Sequence, residues 1–434
     1  MATSSFSSIF EDEPQESDSM VRKRPQQASL TCMYVATSLD GADEQLLPAA
    51  FRHLERDLGF SPTVLGTLTV AQSFTVGFFS PVWGVLADRY SEKSIMVTGC
   101  LCWGVATIGL AAASRVWTIL VLRAINGLFL GSVGPVAQSI ISSQVPSDQR
   151  AFAFGLVQCS AASGRIIANF ATTAFGGAQW SFMLSNVAFA VQGWRLAFAA
   201  VGVSSLLLGI YVSCRMPEFQ KPARNQVETG DRGSTPVVAE EERTSWRQFF
   251  GDVWHQSMRV PSTALVLLEG LIGVVPWGAF TFLTMFFQYL GVEDIEAAFM
   301  SASMLFGTLL AGPIGGILGD YLHRVFPNHG RPFAGQIALL VRIPLVFLLF
   351  WEAESRGKWV LSGLAFLVGL ASFAGICVTR PVLSEVAMPA HRATVFSIVS
   401  GLESLSASFF GAPIVGWLAE MYFDYIPTDL VSLP

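Results

Sequence analysis

The stretch SPVWGVLADRY, Ser80 to Tyr90, runs from an apolar segment straight into an Asp-Arg pair. Its spelling, Pro-x-x-Gly-x-Leu-x-acid, recurs along the chain. Pro81, Gly84, Leu86 and Asp88 form the first copy. Pro313, Gly316, Leu318 and Asp320 form the second, and Pro413, Gly416, Leu418 and Glu420 the third. Each copy closes an apolar segment with a small residue followed by an acid, so the pattern marks a repeated structural unit rather than a single turn.

The composition says what those segments cross. Only 13% of the 434 residues are charged and 52% are hydrophobic, whereas a soluble domain carries about 25% charged residues. That is too little polar surface to face water, so lipid must cover much of the chain. A membrane-spanning helix needs about 20 largely apolar residues. Eleven segments qualify by eye, near 30–50, 62–87, 94–113, 116–142, 151–177, 194–214, 261–290, 295–321, 335–352, 358–380 and 393–420. They are too long and continuous for barrel strands, and only helices or closed barrels satisfy the backbone in lipid. The expected fold class is therefore an all-α polytopic membrane protein.

The same numbers exclude several functions. A net charge of -6 without a basic patch argues against a nucleic-acid partner. Cys32, Cys100, Cys102, Cys159, Cys214 and Cys377 lie in or beside apolar segments, and no spacing suits a metal or a disulfide framework. His323 and His329 have loop-like spacing and lack a third ligand, so no metal or cofactor is expected. No phosphate-binding loop follows a strand, so neither an ATP-driven pump nor another enzyme is supported.

Four regions are expected. Residues 1–28, polar and acidic, read as a disordered cytosolic tail. Residues 29–214 hold six spans, 215–258 form a charged Gly- and Pro-rich cytosolic linker, and 259–434 hold five. Sixteen of the 26 Lys and Arg fall on one side if the amino terminus is cytosolic, six fall on the other, and Arg123, Arg165, Arg342 and Arg380 fall within spans. That asymmetry orients the chain. RAFAF at Arg150 opens the fifth span and RATVF at Arg392 opens the eleventh, which together with the Asp88 and Asp320 copies makes the halves look like duplicates. The third copy, displaced by three spans, points to three-helix units nested within each half.

GVLADRYSEK, residues 84–93, resembles the loop between helices two and three of the Major Facilitator Superfamily, with Gly84, Leu86, Asp88, Arg89 and Lys93 matching and Ser91 and Glu92 departing. DGADEQLLPAAF, LRAINGLFLGSVGPVAQSI, GWRLAF, VVPWGAF and FPNHGR are similar to the Spinster-type branch, especially its plant and algal members. The resemblance implies two pseudo-symmetric helix bundles and a secondary transporter. It also implies a small-molecule or lysolipid-like substrate. The superfamily normally has twelve helices. Here the chain stops at FDYIPTDLVSLP, directly after the eleventh, which motivates an alternative reading as a non-transporting receptor or regulatory partner.

In such a fold Gly84 allows close helix approach and Asp88 is placed to accept from the amino-terminal N–H groups of a facing helix, most plausibly the eleventh. Arg89 can pair with an acid or a lipid phosphate. With Gly316 and Asp320 as a partial second copy, these residues form an expected latch on the cytosolic side. Charges inside the spans are expensive and point to a site. Asp40, Asp43 and Glu44 fall on one helical face; their mutual repulsion opens a route to proton uptake. The Spinster-type pattern pairs an acid of helix one with an Arg of helix four, and Asp40 and Arg123 match it best. Glu269 is expected as a cavity acid, next to a bend at Gly273, Pro276 and Trp277. Glu403 is expected either to contact substrate or to pair with Arg380 or Arg165. Those two arginines would give the cavity a positive potential favouring an anion. Arg342, on a helix expected at the periphery, should snorkel or meet an outer acid. Protons are a candidate coupling ion, and the bilayer is the only other partner expected.

Overall fold

The computed structural model describes residues 15–146, 149–184, 187–216, 251, 253–255, 259–327, 329–372, 379–388 and 391–422. The expected linker lies largely outside these residues, as does the segment after Tyr422. The first helix, α1, spans Gln15–Leu58 and so takes in 15–28 of the stretch expected as a tail. The amino half continues with α2 (Pro62–Arg89), α3 (Glu92–Ala112), α4 (Val116–Leu130), α5 (Val133–Gln144), α6 (Arg150–Phe175) and α7 (Gly193–Arg215). Helix starts follow local chemistry. Ser61 caps α2 by accepting from the Val64 amide, with Pro62 at the first helical position, and Ser91 caps α3 from the Ser94 amide. Between α6 and α7 lies a short antiparallel hairpin, β1 (Gln179–Leu184) against β2 (Val187–Gln192), with Gln179 opposite Gln192 and Leu184 opposite Val187. The sequence reading placed no strands there.

The carboxy half is more broken. Its first expected span is divided into α8 (Pro261–Gly273), α9 (Val275–Ala279), a 3₁₀ turn at Phe280–Phe282 and α10 (Leu283–Tyr289). The interruption falls at the Gly273–Pro276 segment, where a proline removes an amide donor from the helix ladder. Then follow α11 (Asp294–Val325), α12 (Gly330–Phe350), α13 (Lys358–Leu370), α14 (Arg380–Val386), α15 (Arg392–Phe410) and α16 (Ala412–Tyr422). Among the described residues, nine segments are long and apolar enough to cross a membrane. Within the described residues the other two expected spans do not qualify, and 373–378 of the tenth lie outside those residues. The first carries the acids of α1, and the described apolar helix of the tenth is α13.

Two main seams join the halves. α6 lies along α11, and α2 lies along α15 and α16. Both seams are closed by glycines. A Cβ on Gly155 would sit 2.4 Å from the Gly312 carbonyl oxygen, and one on Gly312 would sit 2.4 Å from that of Gly155. A Cβ on Gly84 would sit 2.7 Å from the Ala393 carbonyl oxygen. Backbones this close gain dispersion contacts that side chains would prevent. The third repeat copy lies at the opposite end of α2 from Asp88, because Gly416 meets Pro62; the side chain of Glu420 is outside the described residues. Buried apolar clusters flank the middle, one around Met33, Trp103, Phe154 and Phe396 and one around Phe51, Leu54 and Trp194. Large apolar side chains such as Trp117, Leu340 and Trp359 stay exposed on the outside of the bundle, the surface lipid would cover.

Candidate functional site: a charged cavity between the halves

Asp43 of α1 is fully buried and meets three other helices of the amino half. It accepts from Gln72 Nε2 (3.1 Å), Thr107 Oγ1 (2.6 Å) and Asn126 Nδ2 (3.1 Å). Arg123 Nη1 lies 3.6 Å from its Oδ1, and Arg123 also donates to Gln72 Oε1. Removing two charges from water costs several kcal/mol per ion, and only a pair with its remaining valences filled offsets that. Gln72, Thr107 and Asn126 fill those of the carboxylate, while the Nε and Nη1 of Arg123 make no hydrogen bond among the described residues. The partner of Arg123 is therefore Asp43, not Asp40 as the sequence pattern suggested. The reason is rotation about α1, which turns Asp43 into the junction of α1 to α4. Asp40 is half-buried and makes no hydrogen bond or ion pair among the described residues. Glu44, the next residue round the helix, faces away from that junction. The three acids thus occupy three surroundings rather than one shared face.

Glu44 points into a cavity of about 450 Å³ between the halves. Arg165 of α6 donates to Glu44 Oε2 through Nε (3.0 Å) and Nη2 (2.6 Å). Across the cavity Arg380 of α14 pairs with Glu403 of α15. Both arginines expected to give a positive potential are thus neutralised by carboxylates, and the case they made for an anion falls. Glu269 of α8 also lines the cavity and makes no hydrogen bond or ion pair among the described residues. So does Arg342, which sequence reasoning put toward lipid or an outer acid. Its guanidinium instead lies over the Trp277 ring, 5.8 Å from the centroid. α8 can lie against α15 here because Gly270 has no side chain; a Cβ would meet Glu403 Cγ at 2.8 Å.

Both ends of the cavity are crossed by bonds between the halves. At one end Asp88 accepts from the backbone amides of Ala393 (3.3 Å) and Thr394 (2.9 Å) and from Thr394 Oγ1 (2.6 Å). These are the first amides of α15, whose positive end favours a carboxylate. Asp320 makes the related contact on the other seam, accepting from the Phe152 amide of α6 at 3.3 Å and pairing with Arg331. Arg331 also pairs with Glu385. Arg150 and Arg392, from opposite halves, both donate to the Ser142 carbonyl, at 3.0 and 3.1 Å. Arg89 is exposed beside Asp88. At the other end Tyr289 donates to Glu55 (3.1 Å), and Arg56 lies 3.5 Å from Asp294.

Nearer the cavity, fully buried Asn169 joins four helices. Its Nδ2 donates to the Ala298 carbonyl (3.1 Å) and Ser301 Oγ (3.0 Å), and its Oδ1 accepts from Gln45 and Thr284. Asn169 and Trp277 were not singled out as site residues. For Asn169 the only sequence signal was an uncharged polar residue one turn past Arg165.

A two-bundle membrane fold with a charged central cavity and cross-bundle bonds at both ends is the architecture of a transporter. The chain belongs to the Major Facilitator Superfamily, whose family profile matches residues 33–412. The chain is 25% identical over 335 residues to the multi-drug resistance efflux pump PmrA of Streptococcus pneumoniae, covering 76% of this chain and 73% of that one. It is 21% identical over 410 residues to the multidrug resistance protein MdtG of Proteus mirabilis, covering 91% and 92%. Its fold resembles the crystal structure of a bacterial homolog of the human lysosomal transporter Spinster, inward-facing and unoccupied. The TM-score is 0.65 and the identity 19%, over 93% of this chain and 84% of that one. The human organic anion transporter MFSD10 gives a TM-score of 0.66 at 15% identity, over 92% and 95%. As a member of that superfamily this chain is an integral, multi-pass membrane transporter and not an enzyme.

Proposed function

We propose that the chain is a secondary transporter that exposes its central cavity alternately to the two faces of a bilayer. The observation that carries this reading is the pairing of charges with position. The cavity charges come from both halves, and each end is held by bonds that must break if the halves rock apart there. The Asp88 end is assigned to the cytosol from the distribution of Lys and Arg. In this reading Asp88 and Asp320, with Gly84 and Gly316 beneath them, are the cytosolic latch. Asn169 with the Glu55–Tyr289 contact is the latch of the opposite face.

A proton is the proposed coupling ion and Asp40 its carrier. Asp43 is committed to Arg123 and three hydrogen bonds, whereas Asp40 has no such partner and lies one turn from cavity-facing Glu44. The cargo is a small organic solute, since a cavity of about 450 Å³ lies within the usual range of small-ligand pockets, about 300–1,000 Å³. The test is uptake and counterflow in proteoliposomes with and without a pH gradient, using folded protein. Gradient-dependent accumulation supports the proposal. Uptake that ignores the gradient removes the proton. Folded protein that moves no solute from a broad panel removes the transporter.

A further inference from the structure

The cavity's acids and bases are equal in number, but not all of them are paired. Glu44 is matched by Arg165 and Glu403 by Arg380, both as ion pairs. That leaves one acid and one base lining the same space, Glu269 and Arg342, with no ion pair or hydrogen bond among the described residues. Glu269 lies within electrostatic reach of Glu403, Arg380 and Arg342 and forms an ion pair with none of them among the described residues. Glu269 and Arg342 stand on different helices, α8 and α12, and both line the cavity. Trp277 lies under the Arg342 guanidinium and lines the same wall.

Resting on the transporter reading, the geometry points to a substrate class: a small zwitterion. Its cationic amine faces Glu269, its oxyanion faces Arg342, and its apolar or flat portion lies on Trp277. Both groups are half-buried, and a charge withdrawn from water without a partner is costly, so an occupant of one sign would satisfy Glu269 or Arg342 and leave the other exposed to repulsion. A neutral occupant would satisfy neither. Only a solute carrying both signs completes the site without changing its net charge. Arg342 suits a carboxylate or a phosphate equally, because its planar fork matches both.

Binding measured on detergent-purified full chain by isothermal calorimetry decides this. The probes are alanyl-phenylalanine, its methyl ester (cation only), its N-acetyl derivative (anion only), and glycerophosphocholine as a phosphate zwitterion. At least one zwitterion is expected to bind about tenfold or more tightly than both singly charged probes, in line with the cost of leaving a half-buried charge unpaired. The dipeptide and glycerophosphocholine arms tell which oxyanion the site takes.

Glu269→Gln should erase the advantage over the N-acetyl anion while keeping the advantage over the ester. Arg342→Gln should do the reverse, and Arg342→Lys should retain the wild-type ranking, which separates charge from folding. A singly charged probe binding as tightly as both zwitterions, or a ranking unmoved by either substitution, overturns the inference. Alternating access is read separately, from spin-label distances between the halves. Motion with a singly charged preference refutes only the zwitterion. A fixed distance refutes the transporter itself.

Discussion

Replacing Asp88 by Asn should loosen one end of the molecule by a calculable amount. The carboxylate accepts from two backbone amides and one hydroxyl of α15, all across the boundary between the halves. Hydrogen bonds to a charged group contribute about 1.5–3 kcal/mol net, and the bonds of one group are not additive. Asn keeps one accepting oxygen but turns an N–H₂ toward donors. Asp88 itself regains water when the end opens. A differential loss of about 2–3 kcal/mol follows, which raises the open population roughly 30- to 150-fold. Ser397 provides the readout. It is fully buried, and its Oγ is the nearest atom to where a Gly84 Cβ would stand. In a background without the six native cysteines, Ser397→Cys should react with a soluble maleimide only when this end opens. While the open form is a minor state, the rate is proportional to its population. Asp88→Asn should accelerate labelling by the stated factor. A rate within twofold of the parent would refute the latch and the energetic reasoning with it.

Other substitutions separate the roles assigned to neighbouring residues. Gly84→Ala should accelerate the same labelling without changing any charge, because its Cβ would lie 2.7 Å from the Ala393 carbonyl oxygen, a backbone atom with no rotamer to adopt. Asn169→Ala should open the opposite end instead, raising the labelling rate of Ala298→Cys while leaving that of Ser397→Cys no faster. Asp40→Asn should flatten the pH dependence of uptake while thermal stability holds. Asp43→Asn should act as a stability mutant, because it leaves Arg123 buried beside an uncharged partner. Breaking a buried pair costs about 3–5 kcal/mol, visible as a lowered unfolding temperature in detergent.

Much of the fold was legible because it is written in long-range composition. Apolar runs and the Gly-x-Leu-x-Asp repeat are one-dimensional signals, and they located the helices and the ends where Asp88 and Asp320 sit. Partner identity was not legible. Asp40 and Asp43 are three residues apart, and a rotation about α1 too small for sequence to fix decides which meets Arg123. Arg342 was misplaced because α12 is exposed over most of its length, as a peripheral helix should be, and only the geometry of its packing turns one guanidinium inward. Asn169 carried no signal of charge or motif. Its importance comes from standing where four helices converge. The hairpin at 179–192 falls between the spans placed at 151–177 and 194–214, in a connection to which the sequence reading gave no strands.

The central claim is that one cavity is opened alternately from two ends. It is tested most directly by spin-label distances across both ends of the same protein in lipid nanodiscs. Exposed positions are available on opposite halves at each end, Tyr90 with Val325 and Trp117 with Trp359. Lowering the pH or adding a bound solute should shift the two distributions in opposite directions, one end widening as the other narrows. Two fixed distances, or two ends that widen together, would contradict the account.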